Sequence, residues 1–117
     1  MADTADLIAR LLARRERWVE LEPGRELRIR RPAEADIGLY VRAIGIDQLG
    51  KAVVGWSGFT EADVLGASQG STSPVPFDQA LCIELLRDRV EWVGKLADAV
   101  MDDIRAHLES REAARKN

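Results

Sequence analysis

The stretch Val19-Glu-Leu-Glu-Pro-Gly-Arg-Glu-Leu-Arg-Ile29 is where the hydrophobic period of this chain changes. Apolar residues alternate with charged residues on both sides of Pro23-Gly24, a period typical of strands with one buried face. Proline followed by glycine suits the central positions of a type II turn. The pattern predicts a short β-hairpin that pairs residues 18–22 with 26–30. It should pack on a helix, because a lone hairpin is only marginally stable in water.

Outside the hairpin, apolar residues recur at spacings of three and four, which is typical of amphipathic helices. The expected helices cover residues 4–17, the stripe from Ile37 to Ile44, a short segment over 46–54, a helix capped by Asp78, and residues 89–111. A break is expected near Arg87–Arg89, because Asp88 and Glu91 resemble a capping box. The glycine, serine and proline content of residues 55–77 predicts a long loop.

These elements predict a mainly α fold class, a small helical domain with one short β-hairpin near residues 18–30. A length of 117 residues favours a single domain over residues 1–117. A flexible loop is expected at about 60–77 and a frayed tail at about 110–117. The first ten residues lack the apolar core of a signal peptide, and no apolar run is long enough to cross a membrane.

The charge and the cysteine and histidine content argue against several classes of function. Net charge is −3 and the isoelectric point is about 5.2, which argues against nucleic-acid binding. Cys82 is the only cysteine and His107 the only histidine, so the usual zinc ligand sets cannot be assembled in one chain. A lone cysteine also permits no intrachain disulfide and suits a reducing cytoplasm. We therefore expect a cytoplasmic protein without cofactor or metal.

The segment Gly45-Ile-Asp-Gln-Leu-Gly-Lys51 matches the first part of a phosphate-binding loop. A working loop continues with Ser or Thr, whose hydroxyl holds Mg²⁺, whereas this chain has Ala52. The preceding residues also favour a helix over a buried strand, so we interpret the glycines as helix breakers. Cys82 lies on an apolar helical stripe and His107 has no evident partner. Without a nucleophile–base pair, the sequence predicts a protein that is not an enzyme.

Binding to another protein is the function that the remaining features favour. The candidate partner-binding residues are Trp56, Phe59, Trp92, Arg28 and Arg30. Tryptophan and arginine are enriched at binding hot spots. The alternatives are anchoring in the core for the aromatic residues and a solvated hairpin face for the arginines.

Three segments of the chain resemble the small tail assembly chaperones of tailed bacteriophages. They are Glu22 to Asp36, with the sequence EPGRELRIRRPAEAD; Val53 to Phe59, with VVGWSGF before a turn-rich loop; and Val75 to Ala80, with VPFDQA at the start of the C-terminal helical region. The resemblance covers roughly residues 19–105.

This resemblance implies a mainly α-helical, non-catalytic prophage protein without cofactor. Its partner would be the long, coiled-coil-rich tape measure protein, or another phage tail protein, bound in the cytoplasm of the bacterial host during virion morphogenesis. Self-association along an extended client would add avidity. No catalytic residues carry over from this family. The alternative is another morphogenesis component such as a head–tail connector or minor tail protein, and a small nucleotide-binding enzyme is a third hypothesis.

Overall fold

The fold is described from a computed structural model that covers residues 3–42 and 45–116. Ile44, part of the predicted helical stripe, and Asn117, the last residue of the predicted frayed tail, lie outside the described residues. The elements, in chain order, are α1 (Thr4–Ala13), β1 (Glu16–Glu22), β2 (Arg25–Arg30), a 3-10 turn (Glu34–Asp36), α2 (Ile37–Arg42), α3 (Ile46–Lys51), β3 (Val53–Ser57), α4 (Glu61–Leu65), α5 (Gln79–Arg87) and α6 (Val90–Lys116).

The three strands form one antiparallel sheet in the order β1-β2-β3. In the hairpin, Val19 lies opposite Leu27 and Trp18 opposite Arg28. The alternation described above therefore places Leu27 and Ile29 on a buried face and the charged residues on the other face. β3 pairs with β2, and Trp56 lies opposite Leu27 on the inward face.

The third strand overturns the predicted fold class. Helices hold 59% and strands 18% of the described residues, so the chain has a mixed α and β fold and is not mainly α with a single hairpin. The prediction is wrong because Val53–Ser57 is short and contains a glycine. Its strand conformation depends on hydrogen bonds to β2, which local pattern does not reveal.

The same region corrects two boundaries. The helix predicted over 46–54 ends at Lys51, and the loop predicted over 55–77 contains the end of β3 and the short helix α4. The rest of that loop folds back on α4. The backbone amides of Glu61 and Ala62 donate to the carbonyl oxygens of Ser73 and Ser71 at 3.0 and 2.9 Å.

The C-terminal helices follow the predicted break. The Asp78 carboxylate caps α5 by accepting a hydrogen bond from the amide of Leu81 at 2.9 Å, and α5 ends at Arg87. The first helix ends four residues earlier than expected, at Ala13, because Glu16 and Arg17 belong to β1. The last helix continues five residues beyond its predicted end, to Lys116. Among the described helices, none is long and apolar enough to cross a membrane.

The core lies between the inward face of the sheet and helices α3, α5 and α6. Trp92 is 2% exposed and packs edge-on against Phe59, with ring centroids 5.8 Å apart. The Trp92 indole N–H donates to Glu22 at 3.0 Å, so its one polar atom is satisfied. The buried apolar residues are Leu21, Leu27, Ile29, Tyr40, Leu49, Ala52, Val53, Phe59, Cys82, Leu86, Trp92, Leu96, Ala99, Val100 and Ile104.

Two glycines with left-handed backbone provide a test of this packing. Gly24 and Gly58 have φ of +86° and +88°. A Cβ at Gly24 would meet open space, whereas a Cβ at Gly58 would overlap the carbonyl oxygen of Gly24. We expect Gly24→Ala to lower the free energy of unfolding by about 1 kcal/mol through backbone strain alone. Gly58→Ala should cost at least about 2 kcal/mol more.

Urea unfolding of both variants beside the unsubstituted protein measures this difference. Equal losses of unfolding free energy at the two positions would contradict the described packing of Gly58 against the hairpin turn.

Candidate protein-binding surface

The first helix is the least covered element of the chain. The Asp3 carboxylate caps it by accepting a hydrogen bond from the amide of Asp6 at 2.7 Å. Leu7, Ile8 and Leu11 follow the spacing of one helical face, yet they are 54%, 52% and 49% exposed. No residue of α1 is buried. An amphipathic helix whose apolar face remains half in water is a candidate binding surface.

The distribution of the core explains this exposure. Every buried apolar residue lies between Leu21 and Ile104, so neither α1 nor the last turns of α6 contribute to the core. With 27 residues, α6 is about 40 Å long. The turns of α6 after Ile104 therefore lie outside the core, and Ala106, His107, Ser110 and Arg111 face the cleft next to the C-terminal end of α1.

A cleft of about 780 Å³ lies between the end of α1, the start of the hairpin and this part of α6. At the open end of the hairpin, Arg17 of β1 lies opposite Ile29 on the inward side of the sheet, and the same alternation places Arg15 and Arg31 on that side. The residues that line the cleft are Leu11, Arg14, Arg15, Glu16, Arg17, Arg31, Glu34, Asp103, Ala106, His107, Ser110 and Arg111.

Part of the charge in the cleft is neutralised internally. Arg17 Nε donates to Asp103 at 2.7 Å. Glu34 lies 2.9 Å from His107 Nε2 and 3.2 Å from Arg111 Nε, so it links the 3-10 turn to α6. Asp103 and Glu34, two acidic residues of the lining, are therefore already paired with other residues of the chain.

Three arginines of the lining remain without such a partner. Among residues 3–42 and 45–116, no carboxylate forms an ion pair with Arg14, Arg15 or Arg31. Arg31 donates a hydrogen bond to the carbonyl oxygen of Pro32 at 2.7 Å. Desolvation lowers the pKa of Arg31 and the positive charge of Arg15 lowers it further, while the charges of Glu34 and Asp103 act in the opposite direction. The cleft therefore has an excess of positive charge at the end of α1.

A smaller apolar groove lies on another side of α6. It is lined by Val41 of α2 and by Met101, Ile104 and Leu108 of α6. Val41 and Leu108 are 59% and 46% exposed. The groove holds about 340 Å³ and has acidic residues Glu109 and Glu112 at its edge. It lacks the excess of positive charge found in the first cleft.

The structure separates the residues predicted to bind a partner. Phe59 and Trp92 are buried and belong to the core, so they present no surface to a partner. Trp56 is half-buried, stacked on Phe59 with ring centroids 4.5 Å apart, and its indole N–H donates to the carbonyl oxygen of Val75 at 2.8 Å. It fixes the end of the long loop.

Arg28 and Arg30, the two arginines predicted to bind a partner, both pair with the carboxylate of Glu16. Glu16 accepts two hydrogen bonds from Arg30, at 2.7 and 2.9 Å, and forms an ion pair with Arg28 at 2.7 Å. Only 8% of the Glu16 side chain is exposed. Arg28 and Arg30 therefore stabilise the outer face of the hairpin, beside the half-exposed Trp18.

The other chemical features of the sequence have structural roles. Burial raises the pKa of the Cys82 thiol to about 12, which leaves the sulfur unreactive at neutral pH. Gly45 to Lys51 form the start and body of α3, with Gly50 packed on Ile83, so this segment does not form a phosphate-binding loop. Within the described ranges, no three His, Cys, Asp or Glu residues are grouped as metal ligands would be.

Sequence reasoning missed the exposure of the apolar face of α1 and the presence of the cleft. The stripe of Leu7, Ile8 and Leu11 correctly predicted a helix, but periodicity does not show whether a face is covered. A signal for the arginine cluster was present. Extending the hairpin pairing by one position beyond Glu16 and Arg30 places Arg15 opposite Arg31. Comparisons with protein-family models, with curated proteins and with solved structures found no match to this chain.

The contact of Glu34 with α6 predicts a pH dependence. The hydrogen bond with His107 lowers the pKa of Glu34; desolvation acts in the other direction, and the charge of Arg111 adds to the lowering. A carboxylate whose pKa is lowered on folding stabilises the protein above its unfolded pKa of about 4.5. This contribution is lost as the pH falls through the lower folded value.

Thermal unfolding of Glu34→Gln between pH 3 and 7 tests this contact. The melting temperature of the unsubstituted protein should exceed that of the variant above about pH 5, and the difference should vanish towards pH 3. The matched control is Glu112→Gln, because Glu112 pairs within α6 itself, with Arg115 and Lys116, and with no other residue of the described ranges. A difference that persists at pH 3 would contradict the assigned charge of Glu34.

Proposed function

We propose that this chain is a non-catalytic tail assembly chaperone of a tailed phage, which binds helical segments of the tape measure protein in the host cytoplasm. The observation that carries the proposal is the exposed apolar face of α1, formed by Leu7, Ile8 and Leu11. The resemblance of residues 19–105 to that family supplies the identity of the partner. Docking an amphipathic helix on an apolar surface is a common mode of peptide recognition.

The area of the apolar face of α1 limits the binding free energy that one copy of this chain can gain from one helical segment. Burying the exposed halves of three aliphatic side chains contributes on the order of 3 kcal/mol. Association of two molecules costs several kcal/mol or more in lost motion. The face of α1 alone therefore supports only weak binding, and further contacts in the adjoining cleft are needed.

Weak single contacts suit a client with many similar segments. A tape measure protein is long and rich in coiled coils, so several copies of this chain could bind along one molecule. Each further contact on the same client becomes intramolecular, which raises the overall affinity without stronger individual sites. The bound copies would cover the apolar stripes of the tape measure protein until the tail assembles.

The double substitution Leu7→Gln with Leu11→Gln tests the face directly. Glutamine keeps helix propensity and removes the apolar surface. Co-expression with a tape measure fragment from the same phage genome should give a soluble complex with the unsubstituted chain. We expect at least a tenfold smaller soluble fraction with the double variant, measured by quantitative gel analysis.

Leu65→Gln is the matched control, since Leu65 is 57% exposed but belongs to α4. It should behave like the unsubstituted chain. The double variant should also keep its melting temperature within a few degrees, because neither leucine is part of the core. Client solubility that is independent of this chain, or equally sensitive to Leu65→Gln, would contradict the proposal.

A further inference from the structure

Arg15 and Arg31 form a like-charge pair that the backbone holds in place. The amide of Arg31 donates to the carbonyl oxygen of Arg15 at 2.8 Å, directly beyond the last paired residues of the hairpin, Glu16 and Arg30. Like charges directly opposite each other in antiparallel strands are destabilising. Because both residues lie on the inward side of the sheet, they are less free to separate into solvent than a pair on the outer face.

Nearby carboxylates relieve this repulsion only in part. The charges of Glu34 and Asp103 raise the pKa of Arg31 against the effect of Arg15, but neither carboxylate forms an ion pair with Arg15 or Arg31. Asp103 is committed to Arg17, and Glu34 to His107 and Arg111, as described above. Arg14 adds a third guanidinium to the same wall of the cleft. Among the described residues, the cluster of Arg14, Arg15 and Arg31 thus carries three charges without an ion-pair partner. An arrangement that costs stability and faces a cleft is a candidate binding site.

The position of the cluster indicates what it binds. Arg14 and Arg15 are the two residues that directly follow Ala13, the last residue of α1. Leu11 lines the same cleft. A ligand that covers both parts must be apolar on one stretch and anionic on the next. Guanidinium groups bind carboxylates through paired hydrogen bonds.

We propose that the cluster of Arg14, Arg15 and Arg31 receives acidic side chains of the helix that α1 binds. This inference rests on the proposed function and specifies its partner: an amphipathic helix whose apolar stripe is followed by Asp or Glu within about two turns. Discrete carboxylates fit better than a nucleic-acid backbone, because Glu16, Glu34 and Asp103 border the cleft. A chain of phosphates would meet these acids.

Two synthetic helices of 18 residues provide the test. Both carry the same leucine stripe; one has three Glu residues in the two turns after the stripe, and the other has Gln at those positions. Fluorescence anisotropy measures their dissociation constants for the full chain. We expect the Glu peptide to bind about tenfold more tightly than the Gln peptide. The difference should shrink at high salt.

The double substitution Arg15→Gln with Arg31→Gln should remove this difference by weakening binding of the Glu peptide to the level of the Gln peptide. The variant should keep its melting temperature within a few degrees, because neither arginine forms an ion pair with a described carboxylate. Arg14→Gln, an exposed position, is the second variant if the double substitution impairs folding, and should reduce the difference in part. The matched control is Arg10→Gln, since Arg10 lies on α1 but pairs with Asp6.

The outcomes separate this inference from the proposed function. Equal binding of the two peptides, with loss of both in the variant Leu7→Gln with Leu11→Gln, overturns the acidic specificity and leaves the helix-binding face. Binding of neither peptide overturns both. A preference for the Glu peptide that survives Arg15→Gln with Arg31→Gln overturns the assignment to this cluster, as does tighter binding of an oligonucleotide of equal charge.

Discussion

The fold depends on covering one face of a three-stranded sheet. Leu27 and Ile29 of the central strand are fully buried, and Trp92 and Leu96 of α6 belong to the same core. Because the sheet is small, this single layer of helices satisfies it, and the core ends at Ile104. The stability of the domain is thus concentrated between the hairpin and the first half of α6. Nothing in that arrangement requires α1.

The surfaces that we assign to binding lie where this core stops. α1 precedes the sheet and has its apolar face in water, while the end of α6 extends beyond the last buried residue. The cleft between them is lined by charged residues, which are absent from the described core. Arg17 forms an ion pair there with Asp103, but Arg15 and Arg31 lie opposite each other and neither forms an ion pair with a carboxylate of the described residues. The same structural limit produces both an apolar face and a basic cleft, which together define the expected partner.

The sequence pattern predicted the helices and strands that are determined by residues close together in the chain. The hairpin follows from alternation around Pro23-Gly24, and the start of α5 follows from the cap at Asp78. β3 escaped prediction because its five residues become a strand only by pairing with β2, more than twenty positions away. The site was harder for the same reason. Whether Trp92 is an anchor in the core or on the surface, and whether Leu11 is covered, depends on the packing of distant segments.

The central claim is that the apolar face of α1 is uncovered in the free chain and becomes covered when a helical partner binds. Amide hydrogen exchange of α1 is the most direct measurement of this claim. Without buried side chains, residues 4–13 should exchange far faster than the core residues of α6 in the free protein. Addition of the leucine- and glutamate-bearing helix at saturating concentration should slow that exchange at least tenfold and leave the sheet unchanged. Strong protection of α1 in the free chain, or exchange that the peptide does not alter, would contradict the account.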